Sequence, residues 1–503
     1  MAKHLGKLLV KKVANVGPKV PARTRFAPSP TGFLHLGSMR TAIYNYLLAR
    51  STGGQFLLRL EDTDQRRLVK GAEDNIYRSL EWAGIEWDEG PLVGGPYGPY
   101  RQSDRAEIYK QYTARLLESR QAYRCFCSKE RLNDLAESAR HMYPPSTASY
   151  DRKCSHISKE ESDDRAARGE PFIVRFKSPE TFEPFVDLLH GELTINPQIN
   201  QENIRYDDFT LVKSDGLPTY HMANVVDDHQ MKISHVIRGE EWLPSTPKHI
   251  ALYKALGWNE PSFVHIPLLT SSGGKKLSKR RSDQGILDFA TEVLPEAFLN
   301  FVALLGWSPM RKNIGNKVSE VMTRDQIIKQ FSLDHLTKGN VQVDMSKLHY
   351  FDQVHFKEQL KLPAKREQLV QGCCNAMKKA EFDVSQEETA RMLDVLSKHV
   401  VGFQDFVDKV TVLLSEPARD SKPTVLDIEI IKAAIEKLQL SSAPMVDASE
   451  AKEVLALPFE KKHIFQSLRL GLLGSVAGSS IAEALQILPR NTSIKRLETA
   501  ICT

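Results

Sequence analysis

Between Thr24 and Leu60 the chain reads strand, turn, helix and strand in close succession, and this order constrains the fold more than any other feature. Thr24–Ala27 predicts a short strand, followed by the turn-rich Pro28-Ser29-Pro30-Thr31-Gly32. From Ser38 onward Met39, Ala42, Ile43, Tyr46 and Leu47 keep the spacing of one helix face. Thr52-Gly53-Gly54 stops that helix, and Gln55–Leu60 reads as a buried strand. Two strands joined through a helix form the building block of a parallel sheet.

The alternation returns later. Lys232–Ile237 predicts a strand, and Ser245 is placed to cap a helix with Pro247 in its first turn. Ile250, Tyr253 and Leu256 form its stripe, Gly257 ends it, and Val264–Leu269 is the next strand. Between these halves, residues 111–207 are irregular and rich in charge and proline, as an inserted domain would be. After about residue 285 the pattern turns helical, with Leu294, Phe298, Phe301, Val302 and Leu305 as one stripe, and the final 150 residues show helical stretches and no convincing strand run. At 503 residues the chain can hold three or more folding units. No run of about 18 apolar residues occurs, so no membrane helix is expected. The net charge of +5 permits a polyanionic partner without demanding one.

The first 60 residues contain no Asp or Glu, and Met1 to Arg25 carry seven Lys or Arg. Leu5, Leu8, Leu9, Val13 and Val16 recur there at helical spacing, with Lys3, Lys7 and Lys11 on another face. A basic, amphipathic, acid-free leader is what an organelle transit peptide looks like. Six cysteines in so long a chain suggest a reducing compartment, not a disulfide framework. Cys125, Cys127, Cys154 and His156 have a spacing that can supply four tetrahedral zinc ligands. Cys373, Cys374 and Cys502 show no such pattern.

Two distant segments carry the chemistry. In the first, Arg25 to Ser38, a turn delivers His35 and Gly37 to a helix start, where unpaired N–H groups and the helix dipole suit phosphate. Gly37 leaves room for a nucleotide, and His35 can donate to a phosphate oxygen as charge develops. In the second, Ser271-Ser272-Gly273-Gly274 precedes Lys275-Lys276-Leu277-Ser278-Lys279-Arg280. A Gly/Ser loop with adjacent cations can fold over a triphosphate and neutralise departing pyrophosphate.

Together these segments resemble the class I aminoacyl-tRNA synthetases. His35-Leu-Gly37-Ser38 stands where that family has its "HIGH" signature, and Lys276-Leu277-Ser278-Lys279-Arg280 where it has "KMSKS". "RFAPSPTG" (Arg25–Gly32) and "RLEDTD" (Arg59–Asp64) narrow the resemblance to glutamyl-tRNA synthetases of the bacterial and organellar kind. Further matching stretches are Leu217–His229, His235–His249 and Leu304–Ser308. The match is dense from residue 25 to about 310 and thins beyond.

The resemblance implies an α/β fold: a Rossmann-like catalytic domain with an inserted acceptor-binding domain, then an all-α anticodon-binding domain. The expected boundaries are 1–24 for a basic leader, 25–110 and 208–284 for the catalytic halves, and 111–207 for the insertion. A helical stem-contact domain is expected over 285–350 and the anticodon domain over 351–503. Catalysis is assigned to His35, Lys276 and Lys279. ATP is assigned to His35, Gly37, Glu241 and Lys276 to Arg280. The glutamate pocket comprises Arg25, Ala27, Ser29, Glu61, Tyr220, Asn224 and Arg238, with Glu61 for the amino group and the arginines for the carboxylates. Tyr220 and Asn224, four apart, would share a helix face. ATP with Mg²⁺, L-glutamate and tRNA(Glu) are the implied substrates, with tRNA(Gln) as a further partner. A monomer in the mitochondrial matrix is expected, with chloroplast or bacterial cytoplasm as alternatives. Some relatives bind structural zinc at the cysteine cluster, with the position of Tyr150 as fourth ligand instead of His156. Lys461, Lys462, Arg469, Arg490, Lys495 and Arg496 are available for phosphate contact or for solvent.

Competing readings fit less well. A tRNA-modifying relative lacks the helical end, and glutaminyl-tRNA synthetases usually carry β-barrel anticodon domains. An inactive, RNA-binding relative would not need His35, Gly37, Lys276 and Lys279. A dinucleotide oxidoreductase would carry G-x-G-x-x-G after the first strand.

Overall fold

The computed structural model describes residues 18, 20–271, 285–309, 319–417, 427–475 and 480–502. The lysine-rich segment Lys275–Arg280 and nearly all of the leader lie outside these residues. Two compact units form, one from residues up to 287 with 298–347, the other from 288–297 with 348–503.

In the first unit, β1 (Arg23–Phe26), α1 (Leu36–Ser51) and β2 (Gln55–Leu58) make the parallel unit that the sequence predicts. The helix begins earlier than the apolar stripe, because His35 itself is the N-cap and its ring accepts the Ser38 N–H. It is also buried nearly all round: Tyr44, Asn45, Leu48 and Ala49 are covered as well as the stripe. One side faces β1, where the Thr24 hydroxyl donates to the Asn45 carbonyl at 2.8 Å. Another faces later chain, where the Tyr44 hydroxyl donates to the Leu305 carbonyl at 2.7 Å and the ring meets Phe331. The turn into β2 needs glycine at 54, where a Cβ would fall 1.9 Å from the Ala22 carbonyl oxygen.

The second half repeats the pattern with shifted ends. Its strand runs His235–Gly239, not Lys232–Ile237, because the preceding helix Tyr220–Gln230 ends in a turn where Lys232 takes a left-handed φ of 57°. Ser245 makes no side-chain cap; the 3-10 stretch Glu240–Ser245 feeds directly into helix Thr246–Leu256. Gly257, left-handed at φ 73°, ends that helix as expected. The next strand is Ser262–Ile266, in parallel register with His235–Gly239. Pro267 lacks the N–H to continue it, and Leu269–Thr270 pairs instead with Val341–Gln342. The Ser234 N–H donates to the Arg23 carbonyl at 2.9 Å, so the strand His235–Gly239 starts beside β1.

The segment expected as an insertion divides. Ala122–Cys125, Ile173–Phe176 and Thr210–Val212 form a separate antiparallel sheet. Phe185–Asp187 and Gly191–Leu193 instead extend the main sheet, with Asp187 paired to Phe263. Short strands this polar carry no alternation a sequence reading can use.

The second unit is helical among the described residues, with a core that includes Ile430, Ile431, Ile464, Leu468, Leu485 and Leu497. Ser385 with Glu388 and Asp447 with Glu450 close capping boxes. Two arginines from the expected phosphate set are not available for phosphate. Arg490 is buried and donates to the carbonyls of Ala443, Leu438 and Met445. Arg496 is likewise buried on the carbonyls of Leu413, Leu414 and Ser415. They tie off carbonyls at helix ends. Lys461, Lys462 and Lys495 remain exposed. No helix among the described residues is long and apolar enough to cross a membrane.

Gly54→Ala is expected to destabilise the first unit by about 2 kcal/mol or more, since the obstacle is backbone and cannot swing away. A lower midpoint in urea denaturation would register it.

Candidate active site

The expected pocket residues sit where the parallel strands end. β1 ends at Phe26 and β2 at Leu58, in register, and Arg59–Glu61 follow directly. Glu61 is held by its backbone N–H to the Pro28 carbonyl at 3.0 Å. Across the sheet, Arg238 and His265 are register partners on neighbouring strands. In open α/β sheets the crevice beyond the carboxyl ends of the strands is where ligands bind.

Charge is concentrated under this crevice. The fully buried Arg59 donates to Asp228 at 2.6 Å and to Glu61 at 3.3 Å, and lies 3.7 Å from Asp227. Arg25 shares Asp228 through its Nε at 3.0 Å, and among the described residues its terminal nitrogens take no hydrogen-bond partner. Asp227 also receives Arg105 at 2.7 Å, Gln102 at 2.8 Å and the Tyr109 hydroxyl. Asn224, oriented to satisfy its neighbours, donates to Asp228 at 3.2 Å and accepts from Arg59 at 3.2 Å. Burial drives the Asp228 carboxyl upward, but Arg25 and Arg59 overcome it and hold the group below the usual carboxylate range. For Glu61 burial wins over the same arginines, and its pKa is raised.

Tyr220 and Arg238 complete the group. Arg238 donates to the Tyr220 hydroxyl at 3.1 Å, and Tyr220 packs on Trp242 with ring centroids 4.2 Å apart. Burial raises the Tyr220 phenol, and the charges of Arg238, Glu61 and Arg25 all reach it. Arg25, Glu61, Tyr220, Asn224 and Arg238 therefore lie within electrostatic or hydrogen-bond reach of one another. Ala27 is half-buried and Ser29 exposed on the turn after β1.

The phosphate end lies at the start of α1. His35 Nδ1 accepts the Ser38 N–H at 3.3 Å, and its Nε2 lies 3.0 Å from the Ser38 hydroxyl. A Cβ at Gly37 would come within 3.2 Å of the His35 ring, so this glycine leaves room for the histidine itself. Glu241 is exposed and folds back against Gly239, where a Cβ would lie 2.1 Å from its carboxylate. Lys276, Leu277, Ser278, Lys279 and Arg280 are outside the described residues, but both flanks of their segment are placed. Pro267 and Leu305 give their carbonyls to Arg40 of α1, and Ile286 N–H donates to the Leu34 carbonyl at 3.3 Å. Described residues on either side of the lysine segment thus lie beside Leu34 and Arg40, at and just before the N-terminal half of α1.

In the insertion, Cys125, Cys127 and Cys154 place their sulfurs within 4.8 Å of one another. The Tyr150 hydroxyl lies 3.2 Å from Cys125 Sγ and 3.5 Å from Cys127 Sγ. His156 is not in this group: it ends a 3-10 turn of which Cys154 is the buried member. Of the two fourth donors weighed from sequence, Tyr150 is the one that faces the thiols. The Cys154 thiol, Tyr150 and nearby N–H groups stabilise the Cys125 thiolate and bring it down to about 4, whereas Cys154 is pushed up.

A sequence model of the catalytic domain of class I tRNA synthetases (E and Q) matches residues 21–350. The chain belongs to this family. It is 47% identical over 508 residues to the mitochondrial glutamate–tRNA ligase of Saccharomyces cerevisiae, covering 98% of this chain and 93% of that one. The glutamate–tRNA ligase of Clostridioides difficile is 38% identical, covering 94% of this chain and 98% of its own length. A solved structure titled as a glutamate tRNA ligase from Elizabethkingia meningosepticum, in complex with its amino acid, aligns with a TM-score of 0.79 at 32% identity. That alignment covers 96% of this chain and 99% of the other. The likeness to glutamate–tRNA ligases thus extends along nearly the whole chain.

The sequence reading missed the residues behind the pocket: Asp187, Asp227, Asp228, His249 and His265 are all buried there. Asp227, Asp228 and His249 lie inside matching stretches but bear no motif spacing; Asp187 and His265 carry no signal at all.

Glu61→Gln is expected to stabilise the ligand-free protein at neutral pH, because the raised pKa shows that its charge is disfavoured in the folded state. The advantage should shrink on acidification and vanish below the ordinary glutamate value of about 4.3. Thermal melting across pH measures the difference.

Proposed function

We propose that the chain activates L-glutamate with ATP and transfers it to the 3′ end of tRNA(Glu). The observation that carries this reading is the convergence of two arginines, a carboxylate and a tyrosine at the carboxyl ends of the parallel strands. Beside them lie the helix start at His35 and the two flanks of the lysine segment. A pocket of this make-up suits an amino acid with two carboxylates and one ammonium. The names of the relatives point the same way.

Arg25 and Arg238 take the carboxylates, and Glu61 takes the α-ammonium, whose arrival favours the ionised form that burial disfavours. Tyr220, Asn224, Ala27 and Ser29 shape the remaining walls. The α-carboxylate attacks the α-phosphate of ATP, a P–O bond forms to carbon-bound oxygen, and pyrophosphate departs. His35 lies where it can donate to a phosphate oxygen, with the N–H groups of α1 behind it. Gly37 and Glu241 border the nucleotide, and Lys276 to Arg280 neutralise the leaving pyrophosphate while Mg²⁺ accompanies ATP. The 2′-hydroxyl of the terminal nucleotide then attacks the glutamyl carbonyl and AMP leaves. No protein nucleophile is needed; the rate comes from positioning and electrostatics.

The insertion contributes the acceptor-end contacts and the helical unit the anticodon contacts, with Lys461, Lys462 and Lys495 among the exposed cations. The three thiols with Tyr150 fit a structural zinc ion, being soft donors clustered in one place. The basic leader and the mitochondrial relatives support the mitochondrial matrix as the site of action.

ATP–pyrophosphate exchange in the presence of tRNA is expected with glutamate and not with glutamine; exchange with neither would overturn the assignment. Lys279→Ala should slow that exchange on the order of 100-fold or more while tRNA binding stays nearly intact. An unchanged exchange rate would remove Lys279 from the chemistry. Elemental analysis of protein purified without added metal should find about one zinc per chain, lost in Cys127→Ser; metal-free parent protein would leave the cluster as plain thiols.

A further inference from the structure

Arg238 is buried, and among the described residues every hydrogen-bond partner it has is an imidazole or a hydroxyl. Its Nε–H donates to His265 Nε2 at 3.0 Å, Nη1 to His249 Nδ1 at 3.2 Å and Tyr220 at 3.1 Å, and Nη2 to the Thr246 hydroxyl at 2.8 Å. No described carboxylate lies within ion-pair reach of it. Arg25 and Arg59, by contrast, divide Asp228 between them.

Because guanidinium only donates, the facing ring nitrogens must be bare acceptors. For His265 the proton then sits on Nδ1, which donates to Asp187 at 2.7 Å. Asp187 is itself oriented by the backbone N–H groups of Leu189, His190 and His265. For His249 the proton sits on Nε2 and points to His221 Nδ1 at 3.0 Å. Burial, reinforced by the charge of Arg238, brings His265 down to about 4 and His249 well below its ordinary value, so neither competes with Arg238 as a cation. Asp187, His265 and Arg238 stand on three adjacent strands, Arg238 in register with His265 and Asp187 opposite Phe263, two residues before it.

A carboxylate in place of either ring would hold Arg238 equally well but would cancel its charge. An imidazole fixes the fork and leaves that charge for an incoming anion. We propose that His265 and His249 are positioning residues that aim Arg238 through neutral acceptor nitrogens, Asp187 setting the His265 tautomer, so that its undivided charge meets a glutamate carboxylate. This rests on the reading of Arg238 as a substrate-binding residue.

Kinetics of ATP–pyrophosphate exchange on the full chain, with tRNA present and glutamate or ATP varied, provides the test. His265→Leu should raise KM for glutamate about tenfold or more with KM for ATP little changed, whereas His265→Gln, whose Oε1 replaces Nε2, should recover most of the loss. His249→Asn and His249→Leu form a second pair with the same expected order, useful if Leu at 265 prevents folding. His249→Asp should retain a normal melting temperature yet raise KM for glutamate, because Arg238 is then neutralised. Parent-like glutamate KM in the leucine variants, equal rises in both KM values, or a fully active His249→Asp would each overturn the positioning role. An Arg238→Lys variant with unaltered glutamate KM would instead overturn the role of Arg238 itself.

Discussion

Arg59 is a cation with no exposure, anchored at the end of β2 and facing Asp227 and Asp228 on helix Tyr220–Gln230 and Glu61 two residues on. A guanidinium so placed can exist only if carboxylates surround it, and removing one partner from such a set typically costs about 3–5 kcal/mol. Two further arginines depend on the same acids: Arg25 at the end of β1 through Asp228, and Arg105, a few residues before the expected insertion, through Asp227. One charge cluster thus locks both catalytic halves and the root of the insertion into a single geometry. The proposed glutamate pocket borders that lock.

The electrostatics of the pocket follow from how the acids are distributed. Asp228 is shared by two arginines, so the field of Arg25 reaches the pocket already diminished. Arg238 keeps its charge whole because imidazoles and hydroxyls hold it. Glu61 lies at the edge, 3.3 Å from Arg59, and burial outweighs the nearby arginines, so its carboxylate charge is disfavoured. An ammonium group brought by a ligand would relieve it.

Much of the first unit was legible because its elements are short, apolar and punctuated. The run from β1 to β2 follows the expected order, and the misplaced ends trace to particular backbone events: the left-handed Lys232, the donorless Pro267, the early cap by His35. The burial of α1 on nearly every side was not legible, since its amphipathic stripe says only which face must be covered, and the covering chain comes from beyond residue 300. The strands at 185–193 were hidden for a similar reason: three residues each, they owe their state to the sheet they join and not to their own pattern. Arg490 and Arg496 look like surface cations in sequence because a chain of letters does not show which helix ends have carbonyls left to satisfy.

By itself the sequence determined the family, the parallel strand–helix–strand unit and the helical end, because these reside in contiguous motifs and patterns whose spacing is local. Tertiary structure alone decided what stands behind them. The pairing of Arg59 with Asp227 and Asp228, the cage of His249 and His265 around Arg238, and the choice of Tyr150 over His156 beside the thiols join residues far apart in the chain. Such partnerships are set by burial and by the need of each buried polar group for a counterpart, and neither can be read until the chain has folded.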